Sequence, residues 1–177
     1  MDAYREEVKQ SLGEMIARLE DLEPVHRDFL VHRWLDQLLW MEGAAKKAQG
    51  RYYGLRLVTV LGAVVVPVLV SLNLTGDAAD AVTWLTVAVS LVVAASAAVE
   101  EFFNFGERWR HYRRTVERLK AEGWLFFELV GDYVSPDGHA AAFPRFAARV
   151  EDLLREDVEV YVTQVVSEKK KEEEAKP

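Results

Sequence analysis

No cysteine occurs in the chain, which excludes disulfides, thiolate metal ligands and cysteine nucleophiles and fits a protein whose bulk faces a reducing cytoplasm. Histidine is scarce too. His26, His32, His111 and His139 form no ligand pair at spacings of three or four residues, so no metal is expected. The glycines at Gly13, Gly43 and Gly50 stand alone, and build neither a phosphate-cradling loop nor a nucleophile elbow. With no recognisable set of acid, base, nucleophile or metal ligands, the expectation is a non-enzyme without catalytic residues or cofactor. The N-terminus opens on charged Asp2, Arg5, Glu6 and Glu7, not on a signal peptide.

The absence of charge from two stretches is more informative. Residues 57–76 and 81–99 carry no Asp, Glu, Lys or Arg, and only 77–80, with Asp77 and Asp80 at its ends, separates them. At about 1.5 Å per residue, twenty helical residues reach about 30 Å, the thickness of a bilayer's hydrocarbon. The average composition hides this, because 29% charged residues and a net charge of −7 describe an ordinary soluble domain. Twelve of the twenty residues in the first stretch are Leu or Val, worth roughly −4 to −7 kcal/mol of insertion before Pro67, Asn73 and two Thr are set against it. The second stretch has eight Leu or Val with six Ala, for roughly −2 to −5 kcal/mol, and needs partners.

Small residues permit close helix approach, which makes the second stretch the packing helix. Thr83, Thr86, Ser90, Ala94, Ala97, Glu101 and Asn104 recur at three and four residues and share one face. Two readings of that stripe stand: a helix–helix contact, within the hairpin or between subunits, or a pore lining with Glu101 carboxylates ringing one mouth. Ten basic residues flank the spans, Lys46, Lys47, Arg51 and Arg56 before and Arg108, Arg110, Arg113, Arg114, Arg118 and Lys120 after, and none lies in the connection. The positive-inside rule then predicts both termini in the cytoplasm and a location in the inner (plasma) membrane. Tyr52, Tyr53, Trp84, Phe102, Phe103 and Phe105 fall where interfacial aromatics belong. Asn73, Leu74 and Thr75 match a glycosylation sequon, read as chance at the membrane edge.

Val8, Leu12, Met15, Ile16, Leu19 and Leu22 mark an amphipathic helix that ends before Pro24. A second helix starts there and continues unbroken into the first span, about fifty residues in all. The second span is expected to run on as a stalk through Trp109, Tyr112, Val116, Leu119, Gly123, Phe126, Phe127 and Val130. Residues 131–139 read as a loop, and Pro144 as the first turn of a last helix carrying Phe146, Val150, Leu153, Leu154 and Tyr161. The tail at 158–162 alternates like a strand, but no partner strand is evident. The expected fold is all-α, a two-helix transmembrane hairpin whose helices extend into a cytoplasmic helical bundle. Its parts are 1–54 (N-terminal helices), 55–99 (hairpin), 100–166 (stalk and C-terminal helix) and 167–177 (disordered charged tail). Acidic residues nearly cancel the basic ones in that tail, so it is not a nucleic-acid patch.

The exit from the second span, with Phe103, Phe105, Glu107, Trp109, Tyr112, Arg113, Glu117, Leu119 and Glu122 followed by Trp124, Phe126 and Phe127, resembles that of the SLATT superfamily of two-transmembrane proteins. Trp40, Tyr52, Tyr53 and Arg56 extend the likeness, which covers about residues 30–135 and looks closest to a branch catalogued as a domain of unknown function. The resemblance supplies no catalytic residue. It implies a prokaryotic membrane protein, some relatives being proposed pore-forming effectors gated by nucleotide signals or partner domains; the marginal second span separately predicts a homo-oligomer, of four or more subunits if a pore. Within the motif, Glu107, Arg113, Glu117 and Glu122 have charge to account for. Arg113 and Glu117 stand four apart, a pair worth roughly 0.2–0.5 kcal/mol when exposed; the alternative is that Arg113 reaches a carboxylate of another subunit.

Overall fold

The computed structural model describes residues 3–72, 75–135 and 137–174, with side chains over 5–72, 75–135 and 137–158. Asn73 and Leu74 of the sequon and residues 175–177 of the tail lie outside these. The chain is all-α, 89% helical, with no strand among the described residues. Helix α1 is Ala3–Ala17, α2 is Pro24–Ser71, α3 is Asp77–Phe103, α4 is Phe105–Phe127 and α5 is Gly138–Glu174. A single 3₁₀ turn, Gly131–Tyr133, lies in the expected loop, and the alternating 158–162 segment is helical.

The 48-residue α2 is one unbroken helix from Pro24 into the first apolar stretch, with a π-helical turn over Phe29–Leu35 and Pro67 inside its apolar part. The second apolar stretch does not run straight on. Asn104 adopts left-handed backbone, φ 49° and ψ 42°, and ends α3 by donating its N–H to the Glu100 carbonyl at 2.9 Å. Its own carbonyl accepts from Glu107 and Arg108, both at 3.1 Å, and so begins α4. Asparagine tolerates this conformation better than most residues, which lets one position close one helix and open the next.

Two compact units divide the chain, Met1–Glu42 with Arg113–Pro177, and Gly43–Tyr112. In the first, the apolar face of α1 points inward with Ile16 deepest, and Leu22 follows it in. Trp34, from the π-helical turn, is 2% exposed and sits against Gly123 of α4, where an added Cβ would overlap its indole ring. The same indole N–H donates to the Leu119 carbonyl at 3.0 Å, so the ring is held by shape and by a hydrogen bond. Phe126 of α4 stacks on Phe146 of α5 at 4.5 Å between centroids, and Val116, Leu119, Val150 and Leu153 complete the core.

Helix α4 ends in a Schellman motif, Val130 N–H to the Leu125 carbonyl at 3.0 Å and Leu129 N–H to the Phe126 carbonyl at 3.1 Å, with Leu129 at φ 50° where glycine is usual. Helix α5 starts six residues before Pro144, which therefore lies inside the helix and not in its first turn. Asp21 explains the earlier start: its carboxylate accepts from the backbone N–H groups of His139 at 2.6 Å and Ala140 at 3.2 Å, capping α5 from a distant loop. Farther along, Arg33 grips Glu151 with two hydrogen bonds of 2.6 and 2.8 Å, and Arg118 pairs with Glu156 at 2.8 Å.

These contacts set the acid response. Arg33 holds the Glu151 carboxyl below its ordinary range, outweighing burial. For Asp21 burial pushes upward and is the largest single cause, yet the Ala140 and His139 N–H groups and the His139 charge together hold it low. Folded values below the unfolded ones near 4 mean that this stability is complete above about pH 5 and is lost as pH falls through the folded values. Thermal melts of the purified protein should therefore drop below about pH 4, and Arg33→Gln should flatten that drop. Separately, Gly123→Ala should lower stability by about 1–3 kcal/mol, opposite in sign to the roughly 1 kcal/mol gain expected at an open helical site, as read by denaturant titration.

Candidate functional site

Within the unit Gly43–Tyr112, α2 and α3 pack antiparallel along a narrow seam. Its shielded positions are Tyr52, Leu55, Thr59, Gly62, Val66 and Leu69 on α2, and Val82, Thr86, Val89, Val93, Ser96 and Glu100 on α3. Steps of three and four alternate on both helices, the period of a left-handed coiled coil. Gly62 makes the close approach possible, because a Cβ there would overlap the Val93 side chain, and Gly106 does the same for Tyr52. The hydroxyls beside the seam turn back on their own helices: Thr59 donates to the Leu55 carbonyl at 2.9 Å and Thr86 to that of Val82 at 2.7 Å.

The small-residue stripe only grazes this seam. Thr86 lies in it and Ser90 is half-buried at its edge, whereas Thr83, Ala94, Ala97 and Glu101 are exposed. Thr83 also donates to its own helix, to the Ala79 carbonyl at 2.9 Å. Asn104, the last of the stripe, is the left-handed residue between α3 and α4. The seam itself escaped the sequence reading, because its valines look like those that face outward; only Gly62, alone in a Val-rich run, marked the line of contact.

Beyond the seam both helices are bare. Of the most apolar window of each, only 6% on α2 and 0% on α3 is buried, and Leu57, Val64, Val70, Trp84 and Leu91 are exposed by more than half. A helix in the core of a soluble domain is mostly covered. Both helices are long and apolar enough to span a membrane.

The stalk motif divides between the two units. Glu107 is exposed, and Trp109 lies beside Tyr53 at 6.4 Å between centroids, its indole N–H buried without a hydrogen-bond partner. Tyr112 flanks His111. Arg113 pairs with Glu117 at 2.9 Å, the four-residue spacing expected, and comes within 3.8 Å of Glu42, which also accepts from Lys120 at 3.0 Å. Glu122 is the most enclosed of the motif carboxylates. It accepts from the Tyr133 hydroxyl at 2.6 Å and from Arg149 at 3.0 Å, joining α4, the 3₁₀ turn and α5. Burial first, then the bond to Glu122, pushes the Tyr133 phenol far above its ordinary value, so it stays a donor. No group of three or more His, Cys, Asp or Glu converges on a metal position among the described residues.

Residues 36–141, more than half the chain, match the family DUF4231, described as a protein of unknown function. The chain belongs to that family. The DUF4231 match takes in the Gly43–Tyr112 unit, the Asn104 turn, α4 and the first residues of α5, and leaves α1 outside. No curated protein and no solved structure matches the chain.

The seam yields a direct test. Gly62→Ala should cost about 1–3 kcal/mol in unfolding of the detergent-solubilised protein, and Val93→Ala should recover part of that loss in the double variant. Additive effects would separate the two side chains.

Proposed function

We propose that this DUF4231 protein is an integral membrane protein whose α2 and α3 cross the bilayer as a hairpin with both termini in the cytoplasm, and that copies assemble through the outward face of α3. The observation that carries this reading is the uncovered apolar surface on both sides of the seam, which water does not tolerate at that length. Charge agrees with it, since basic residues flank the apolar stretches on the side of the termini and only Asp77 and Asp80 mark the connection.

Assembly follows from which residues the seam leaves over. Thr83, Ala94 and Ala97 offer little surface to lipid but let another helix come close. Four or more copies with this face turned to a common axis would enclose a path, with Glu101 at its cytoplasmic mouth. On this reading the protein is a pore-forming effector of SLATT type, its cytoplasmic helices governing assembly or gating, and neither an enzyme nor a cofactor carrier.

A second reading is favoured by a groove of about 380 Å³ between α1 and α4, lined by Val8, Leu12 and Trp124 with Glu7, Ser11 and Lys120 at its polar edge. In it the hairpin only anchors a helical module that docks a cytoplasmic protein. Ion flux across liposomes holding the purified protein separates the two. The pore reading expects flux that falls at least about tenfold in Glu101→Ala and Ser90→Leu, since one removes the ring of charge and the other fills the bore. Flux indifferent to both substitutions, or none at all from an oligomer, leaves the anchor.

A further inference from the structure

The whole chain is acidic, yet residues 43–72 hold four basic residues and no acidic one. Those four, Lys46, Lys47, Arg51 and Arg56, are exposed, and Arg108 on α4 is exposed as well. Ring contacts fix the level of this group against the apolar surface. The Arg51 guanidinium lies over the Phe105 ring, 5.5 Å from its centroid, and Tyr53 lies beside Trp109, so the chain near Arg51 stands level with the start of α4. Immediately beyond Arg56 the exposed surface turns apolar, with Leu57 at 59% and Leu61 at 55% exposure.

We propose that Arg51, Arg56 and Arg108, with Lys46 and Lys47 behind them, form a collar that binds the headgroups of anionic phospholipids; the proposal rests on the membrane reading above. Three features of the molecule select that partner. Arginine presents several N–H donors in a plane and grips a phosphate with two of them, and an aromatic ring behind the guanidinium holds its plane while leaving donor edges free. Acidic neighbours at this level are fewer than the cations: Glu100, half-buried with an oxygen near Gly106, Glu101 and Glu107 stand against Arg51, Arg56, Arg108 and Lys47. The collar also lies next to exposed Leu57, Val60, Leu61 and Val64, along which acyl chains can run. A free phosphate would meet the charge alone; a phospholipid meets both surfaces.

The measurement is lipid retention by the full-length protein, using native mass spectrometry and thermal melts in nanodiscs made with phosphatidylglycerol or phosphatidylcholine. The wild type should retain phosphatidylglycerol about tenfold over phosphatidylcholine and melt several degrees higher with it, and this preference should fade in high salt. The triple variant Arg51→Gln, Arg56→Gln, Arg108→Gln should retain both lipids equally while melting like the wild type in phosphatidylcholine. If the triple variant does not fold, the pair Lys46→Gln, Lys47→Gln and single Arg108→Gln should each weaken the preference. Equal retention by the wild type, an unchanged preference in the variants, or displacement of the lipid by inorganic phosphate would overturn the collar. Membrane insertion is read separately: release of the wild type from membranes by alkaline carbonate sinks the membrane reading, whereas a retained chain without lipid preference sinks the collar alone.

Discussion

Two helices that meet along a single seam shield only the residues on that line, and the apolar surface left over has to be covered by something other than the chain. Here the line runs through Gly62 and Val93, and close approach there narrows the contact further, because a glycine brings backbones together without adding side-chain surface. The leftover surface is continuous, apolar and free of charge. It governs the distribution of the remaining residues: cations and aromatics at one end of the run, acids at the connection, and the balanced mixture of charge everywhere else. On the membrane reading proposed above, a solvent that is apolar across about 30 Å and polar at both sides lets all three placements lower the energy together.

The unit formed by Met1–Glu42 and Arg113–Pro177 solves the opposite problem, burying an apolar core in water. Its solution depends on one large side chain, since Trp34 fills the centre and α4 must supply Gly123 to receive it and the Leu119 carbonyl to accept its N–H. The π-helical turn that carries Trp34 adds a residue to the helical turn and so shifts the face presented to the core. Around that centre the charged contacts tie distant segments: Asp21 caps α5, Arg33 holds Glu151, and Glu122 joins Tyr133 and Arg149. Exposed pairs of this kind contribute little singly, but Glu122 and the Asp21 cap are partly enclosed and join segments more than ten residues apart.

What could be read from the sequence follows from how far each signal reaches. The charge-free stretches, the unbroken helix through Gly43, Gly50 and Gly54, and the inward face of α1 all depend on one residue's relation to near neighbours, and all were legible. The break at Asn104 was not, because asparagine is tolerated within helices and nothing beside it demanded a turn; the left-handed conformation becomes favourable only where two helices must part. The placement of Pro144 failed for a related reason. A proline within the second turn is tolerable once a carboxylate from another segment, Asp21, has fixed the helix start, and no local pattern announces that partner. Glu122 stood out as part of a motif, yet its neighbours Tyr133 and Arg149 come from segments that only the fold brings near.

The stripe on α3 was picked out by polarity, and the hydrogen bonds show that two of its hydroxyls have no proton left to give. Thr83 and Thr86 spend their hydroxyl protons on carbonyls four residues back, so each can lie against an apolar neighbour without leaving a donor unmet. What remains is size. A face built of Thr, Ser and Ala is shallow, and a shallow face gains most from another backbone coming close to it. Glu101 is the exception, since a carboxylate at the end of that face has to keep its hydration or gain a cation. Any arrangement of copies that uses the shallow face must therefore either leave the Glu101 end open to water or set a cation against that carboxylate.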